Sequence, residues 1–251
     1  MCSERRLWIC GDIHGELSVL VRNAVNLGIS CADILVVGDF GVGFGRPKSM
    51  DVAYSKVLAS LEKNDICIYT IRGNHDNPAF FDGLHDYDWL HFLPDHRIIE
   101  ICGKRIYPIG GAVSADLDLV DPLTRKSRRM INDTLIKMGS CKRIWWSGEP
   151  LVPIVNGFPS AVDIVVSHEA PLSFAPPLVR PDYVRDETWL KIVESRKYQD
   201  YVLSQVKPTL WFYGHYHSHY EGCVECAAGG GDSPRSARFQ CLDIAEMVRV
   251  V

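Results

Sequence analysis

Five short polar blocks carry the side chains that could do chemistry in this chain. They are Asp12-Ile13-His14-Gly15, Gly38-Asp39-Phe40-Gly41, Gly73-Asn74-His75-Asp76, Ser167-His168-Glu169 and Gly214-His215-Tyr216-His217. Asp12, Asp39 and Asn74 offer oxygen donors, and His14, His168, His215 and His217 offer imidazoles. That set is larger than one tetrahedral zinc site needs. It suits two ions, each completing its shell with water or substrate. A carboxylate shared between two ions lets them sit roughly 3.5–4 Å apart, where they polarise a phosphoryl group and lower the pKa of a bridging water. Mixed oxygen and nitrogen donors without thiolate favour manganese, iron, zinc or a related divalent ion over calcium.

Something must bring these distant blocks together. Each follows a short apolar run, at 6–10, 34–37, 66–71, 162–166 and 209–213. Helical spacing of apolar residues links the first runs, over 17–27 and 50–61, with Gly28 as the stop of the first. Strand, helix, strand, helix, strand predicts βαβ units with a parallel sheet. The polar blocks then fall at strand C-terminal ends, where open α/β sheets place their ligands. Two histidines one residue apart at a strand end point to the same side, so Tyr216 between them is expected to face away into packing.

Farther along, 97–101 and 104–107 predict a hairpin around Cys102-Gly103, and 109–113 a further strand leading to Ser114 and Asp116. Residues 187–206 have helical character, and 239–244 and 247–250 read as closing strands. The stretch 117–160, with Trp145-Trp146, predicts loops and short helices over the site. The tryptophan pair reads as packing. The expectation is one domain over 1–251, with 117–160 as a loop-rich insertion near the site.

Composition narrows the function. A net charge of −4 with no basic run argues against nucleic acid as a partner. A small phosphorylated substrate is the better expectation, with bound cations supplying local positive charge. No apolar stretch approaches the roughly 18–20 residues of a spanning helix, so no membrane partner is expected. The nine cysteines are scattered, and the chain is read as cytoplasmic with reduced thiols. Cys223-x-x-Cys226 lacks a second pair and reads as ordinary thiols rather than a zinc site.

Taken in order from Gly11 to His217, Asp-x-His-Gly, Gly-Asp, Gly-Asn-His-Asp, Ser-His and Gly-His-x-His resemble the calcineurin-like metallophosphoesterase family. The resemblance implies an α/β fold, a two-sheet αβ sandwich with the site at the strand ends. It implies two divalent ions, manganese first, with iron or zinc as alternatives. Asp12, His14 and His217 would hold one ion, Asn74, His168 and His215 the other, and Asp39 would bridge. His75 would stabilise the phosphoryl oxygens or protonate the leaving group, and Asp76 would orient or tune that imidazole. The implied reaction is hydrolysis of a small phosphomonoester or phosphodiester by in-line attack of a metal-bound hydroxide.

Two alternatives accompany it: a phosphoprotein phosphatase, and a non-catalytic scaffold that keeps the fold. Many phosphoprotein phosphatases of the family continue the second block as Asp-Arg-Gly, whereas Asp39 is followed by Phe40. Arg46 and Arg72 are the candidate substitutes for that arginine. Gly110-Gly111-x-x-Ser114-x-Asp116, Trp145-Trp146-x-x-Glu149 and Ser167-His168-Glu169-Ala170-Pro171 are similar to a bacterial and phage subset of the family.

Overall fold

The computed structural model describes residues 4–44, 48–138, 145–177, 179–226 and 235–250. Among the described residues, twelve strands and four α-helices run in the order β1 (Arg6–Cys10), α1 (Leu17–Asn26), β2 (Ala32–Val36), α2 (Ser49–Asn64), β3 (Ile66–Thr70), β4 (Asp86–Tyr87), β5 (Leu90–Phe92), β6 (Ile99–Ile101), β7 (Lys104–Ile109), α3 (Arg128–Lys137), β8 (Ile164–Ser167), α4 (Asp186–Val206), β9 (Leu210–Tyr213), β10 (Tyr220–Cys226), β11 (Arg235–Cys241) and β12 (Met247–Arg249). They form two mixed six-stranded sheets, ordered β12-β1-β2-β3-β5-β4 and β10-β11-β9-β8-β7-β6. In the first, β1, β2, β3 and β5 run parallel. In the second, β7, β8, β9 and β11 do.

The sequence explains why two sheets stack with helices outside. Side chains alternate across a strand, so a strand apolar at every position must be covered on both faces. On β2, Ile34 and Val36 pack among α1 and α2, while Leu35 joins the layer between the sheets. On β8, Ile164 and Val166 face that middle layer and Val165 faces α4. On β9, Phe212 points in, and Trp211 and Tyr213 point out. Burying each such side chain contributes about 1.5–3 kcal/mol. Helix α1 buries Leu17, Leu20, Val21 and Ala24, one stripe at helical spacing against the first sheet. The result is the α/β sandwich expected.

Local differences have local causes. The further strand expected over 109–113 does not form. Strand β7 ends at Ile109, because Gly110 and Gly111 turn the chain under Arg72, whose carbonyl accepts from the Gly111 N–H at 2.6 Å. Strands β4, β5 and β10 had no expectation; they are short or polar, and β10 is exposed along most of its length. Within β10, Cys223 and Cys226 are three positions apart and so face opposite sides. Among the described cysteines Cys31 is disulfide-bonded, which corrects the expectation of thiols reduced throughout. Among the described residues no helix is long and apolar enough to cross a membrane.

Candidate metal centre

All five polar blocks meet where the C-terminal ends of the two sheets come together. β1 delivers Asp12 and His14, β2 Asp39, β3 Asn74 and His75, β8 His168, and β9 His215 and His217. Four of these residues hold left-handed backbone: His14 at φ 46°, Asp39 at 47°, His215 at 71° and His217 at 48°. Non-glycine residues adopt that region uncommonly, and such strain gathers at functional sites. Two glycines make the close approach possible. A Cβ on Gly38 would collide with the His168 ring, and one on Gly214 with the Asp12 carboxylate.

The donors fall into two groups. Asp12, His14 and His217 bring ligand atoms within 4.8 Å of one another, and so do Asp39, His168 and His215. In the first, His14 Nε2 and His217 Nε2 lie 2.9 Å apart, and Asp12 Oδ2 is 3.3 Å from His217 Nε2. In the second, Asp39 Oδ2 is 3.4 Å from His168 Nε2. The same Oδ2 is 3.9 Å from His14 Nδ1, so Asp39 stands between the groups. Asn74 Oδ1 lies 2.8 Å from His168 Nε2 and joins the second group.

The electrostatics suit cations. Burial works against charge on His168, yet Asp39 and Asp12 outweigh it and raise its pKa to about 10. Burial opposes the charge on Asp39 too, but His168 holds it well below the carboxylate range. Burial lowers His14, and it lowers His215 to about 4, which leaves both rings neutral and free to ligate. The hydrogen bond to Asp12 raises His217. A site whose carboxylates draw a proton onto a fully buried histidine favours positive charge at that point. Divalent ions fit this donor set, since binding them releases such protons.

Surrounding residues fix the ligands. His168 Nδ1 donates to the Val37 carbonyl at 2.9 Å, which turns Nε2 toward Asp39 and Asn74. Asn74 Nδ2 donates to Ser114 Oγ at 2.8 Å, and Ser114 Oγ donates to Glu149 at 2.8 Å. The Asp12 carboxylate accepts the His215 backbone N–H at 3.0 Å, and Asp39 accepts that of His75 at 2.8 Å. Tyr216 packs against the second sheet, and its hydroxyl donates to buried Glu169, which also faces Arg196 at 3.3 Å. The last block is thereby tied to the residue beside His168.

His75 is half-buried, its ring centroid 5.9 Å from His14 and 5.6 Å from Trp145. Asp76, expected to orient or tune that imidazole, also holds backbone. It accepts four backbone N–H groups, from Phe40, Gly41, Val42 and Gly73 at 2.7–3.1 Å, and so pins the loop after β2 to the loop after β3. Arg72 is neither a phosphate ligand nor solvent-facing. It is buried, pairs with Asp95 at 2.8 Å, and donates to the carbonyls of Gly110, Gly148, Glu149 and Pro150. Arg46 lies outside the described residues. The anchoring roles of Ser114 and Glu149 had no signal in spacing or periodicity; only the resemblance to the bacterial and phage subset pointed at them.

Two mixed sheets thus bring two groups of candidate metal donors together at their C-terminal strand ends. The profile of the calcineurin-like phosphoesterases matches residues 5–219, and the chain belongs to that family. A search of curated proteins returned no match.

Proposed function

We propose that the chain is a dinuclear metal-dependent hydrolase of small phosphomonoesters or phosphodiesters, with manganese as the first choice of ion and iron or zinc as alternatives. The observation that carries this reading is the pair of donor groups, Asp12–His14–His217 and Asp39–His168–His215, with Asp39 between them. When bound, the ions supply a nucleophilic water at neutral pH and positive charge against the phosphoryl oxygens. The protein's own part is positional. Asp39, Asn74 and His168 are held by the backbone and by Ser114, so little reorganisation accompanies binding. His75, whose ring lies 5.9 Å from that of His14, would donate to a phosphoryl oxygen or to the departing ester oxygen.

The phosphoprotein phosphatase alternative finds less support. Arg72, one of its two candidate arginines, is committed to Asp95 and four carbonyls. The six free thiols among the described residues fit a cytoplasmic setting, and the Cys31 disulfide counts against it. Hydrolysis of an aryl phosphate and an aryl phosphodiester, with Mn²⁺ and after chelation, tests the reading. Turnover of at least one ester that chelation abolishes and Mn²⁺ restores is expected. Folded, metal-loaded protein that turns over neither sinks it.

A further inference from the structure

Beside the candidate metal centre lies a cavity of about 470 Å³, between α3, the segment 145–150 and the first turn of α4. Its walls include Arg129, Trp145, Trp146, Glu149, Arg185 and Lys191. Two of these lead toward the centre through one neighbour each. The Trp145 ring lies 5.6 Å from the His75 ring, and Glu149 holds Ser114, which holds Asn74. Trp145 therefore stands against both the cavity and His75.

Its polar lining is incomplete. Arg129 Nε and Trp145 Nε1 are buried N–H groups without a hydrogen-bond partner. Both can only donate, so what completes them must bring acceptor oxygens. Charge points the same way at this end of the cavity. Arg129 and Arg185 lean on a single buried carboxylate, Asp118, at 3.4 and 2.9 Å: two cations on one acid. Lys191 is matched by Glu187 at 2.7 Å, and Asp133, the other lining acid, is exposed. Glu149, the remaining lining acid, accepts from the Ser114 backbone N–H and hydroxyl.

We propose that this cavity binds the leaving group of the substrate, and that the substrate is a phosphoester whose leaving group carries a second anion, a carboxylate or a further phosphate. The proposal rests on the phosphoesterase reading above and narrows its substrate class. Arg129 supplies the charge-assisted donor for that anion, and Trp145 supplies an indole N–H and a flat wall between it and His75. In this arrangement α3 and the segment 145–150 select substrates.

The test uses the full chain loaded with Mn²⁺ and three aryl monophosphates bearing, at the para position, a carboxylate, an uncharged carboxamide or a second phosphate. Wild-type protein should favour an anionic ester in kcat/KM, and the carboxylate and phosphate arms tell which anion fits. Arg129→Gln should lower kcat/KM for the favoured anionic ester about ten-fold more than for the carboxamide, mainly through KM. Arg129→Lys, which keeps the charge, should restore part of the difference. A wild-type protein indifferent to the anion, or equal losses on charged and uncharged esters, overturns the proposal. Calorimetry on chelator-treated chain separates this from failure of the phosphoesterase reading. Tighter binding of 4-hydroxybenzoate or 4-hydroxyphenyl phosphate than of 4-hydroxybenzamide, lost in Arg129→Gln, upholds the cavity even without turnover. Equal binding of all three refutes it.

Discussion

The two donor groups have similar ligands and different surroundings. In the inner group His168 is fully buried, Asp39 nearly so, and Asn74 is backed by Ser114 and Glu149. In the outer group Asp12 is buried, but the His14 and His217 side chains are 28% and 44% exposed. His14 and His217 meet chiefly each other and the carboxylates of Asp12 and Asp39. Outer hydrogen bonds that orient a ligand strengthen its hold on an ion. On the function proposed above, the inner group would retain its ion, and the outer one would exchange ion and substrate with solvent.

Asp39 is where the contrast breaks most completely, because it stands within reach of both groups. Asp39→Asn removes the charge each ion would share and should cost several kcal/mol in the transition state, or about a thousand-fold in kcat/KM. It should also leave less than one ion per chain after dialysis. Loss of only one ion would show that Asp39 serves a single group. The histidine variants come next and separate the groups. His217→Ala should retain one tightly held ion, and His168→Ala should retain neither firmly, as read by elemental analysis of dialysed protein. The same ion count for both variants would erase the distinction between inner and outer.

That distinction was only partly legible in the sequence. The parallel strands could be read because they are short, apolar runs ended by glycine and a polar residue, as at Val36 to Asp39. The ligands could be read because strand ends converge in an α/β sheet. Their unequal burial could not, because it depends on which loop covers which strand end. Arg72 shows the difficulty. Its neighbours Asp95 and Gly148 are distant in sequence, so nothing local distinguishes a buried tie from a surface arginine. Nor could sequence show that loop folding brings four N–H groups to the Asp76 carboxylate, because three of them come from the loop after β2. Strand β10 does alternate, with Tyr220, Val224 and Cys226 on one face and Glu221 and Glu225 on the other, but Gly222 and Cys223 interrupt the pattern at its middle.

Smaller effects should follow from the residues behind the ligands. Ser114→Ala frees the Asn74 amide and should weaken the inner ion about 10–100-fold in a Mn²⁺ titration while leaving the outer one nearly unchanged. Tyr216→Phe removes the hydroxyl that ties the last block to Glu169, between His215 of the inner group and His217 of the outer. It should therefore weaken both ions, each less than Ser114→Ala weakens the inner one. An effect confined to one ion would mean that the block does not move as a unit.

The smallest effect is a slope with pH, and it isolates the support of the inner group. Burial raises the Glu149 carboxyl from 4.5 to about 7, against the hydrogen bonds from Ser114. Between those values the folded chain holds a proton that the unfolded chain has released. Stability from this group is therefore full below about pH 4.5 and is lost as pH rises toward 7, by at most about 1.4 kcal/mol per pH unit. Chelator-treated wild-type protein should lose urea resistance over that window. Glu149→Gln, which keeps an acceptor oxygen for Ser114 and cannot titrate, should flatten that component. Added Mn²⁺ should flatten it in the wild type as well, because cations beside Asn74 favour the Glu149 carboxylate. A slope unchanged in Glu149→Gln would assign the proton elsewhere, and a slope that persists undiminished with Mn²⁺ would mean that Glu149 supports the fold and not the inner ion.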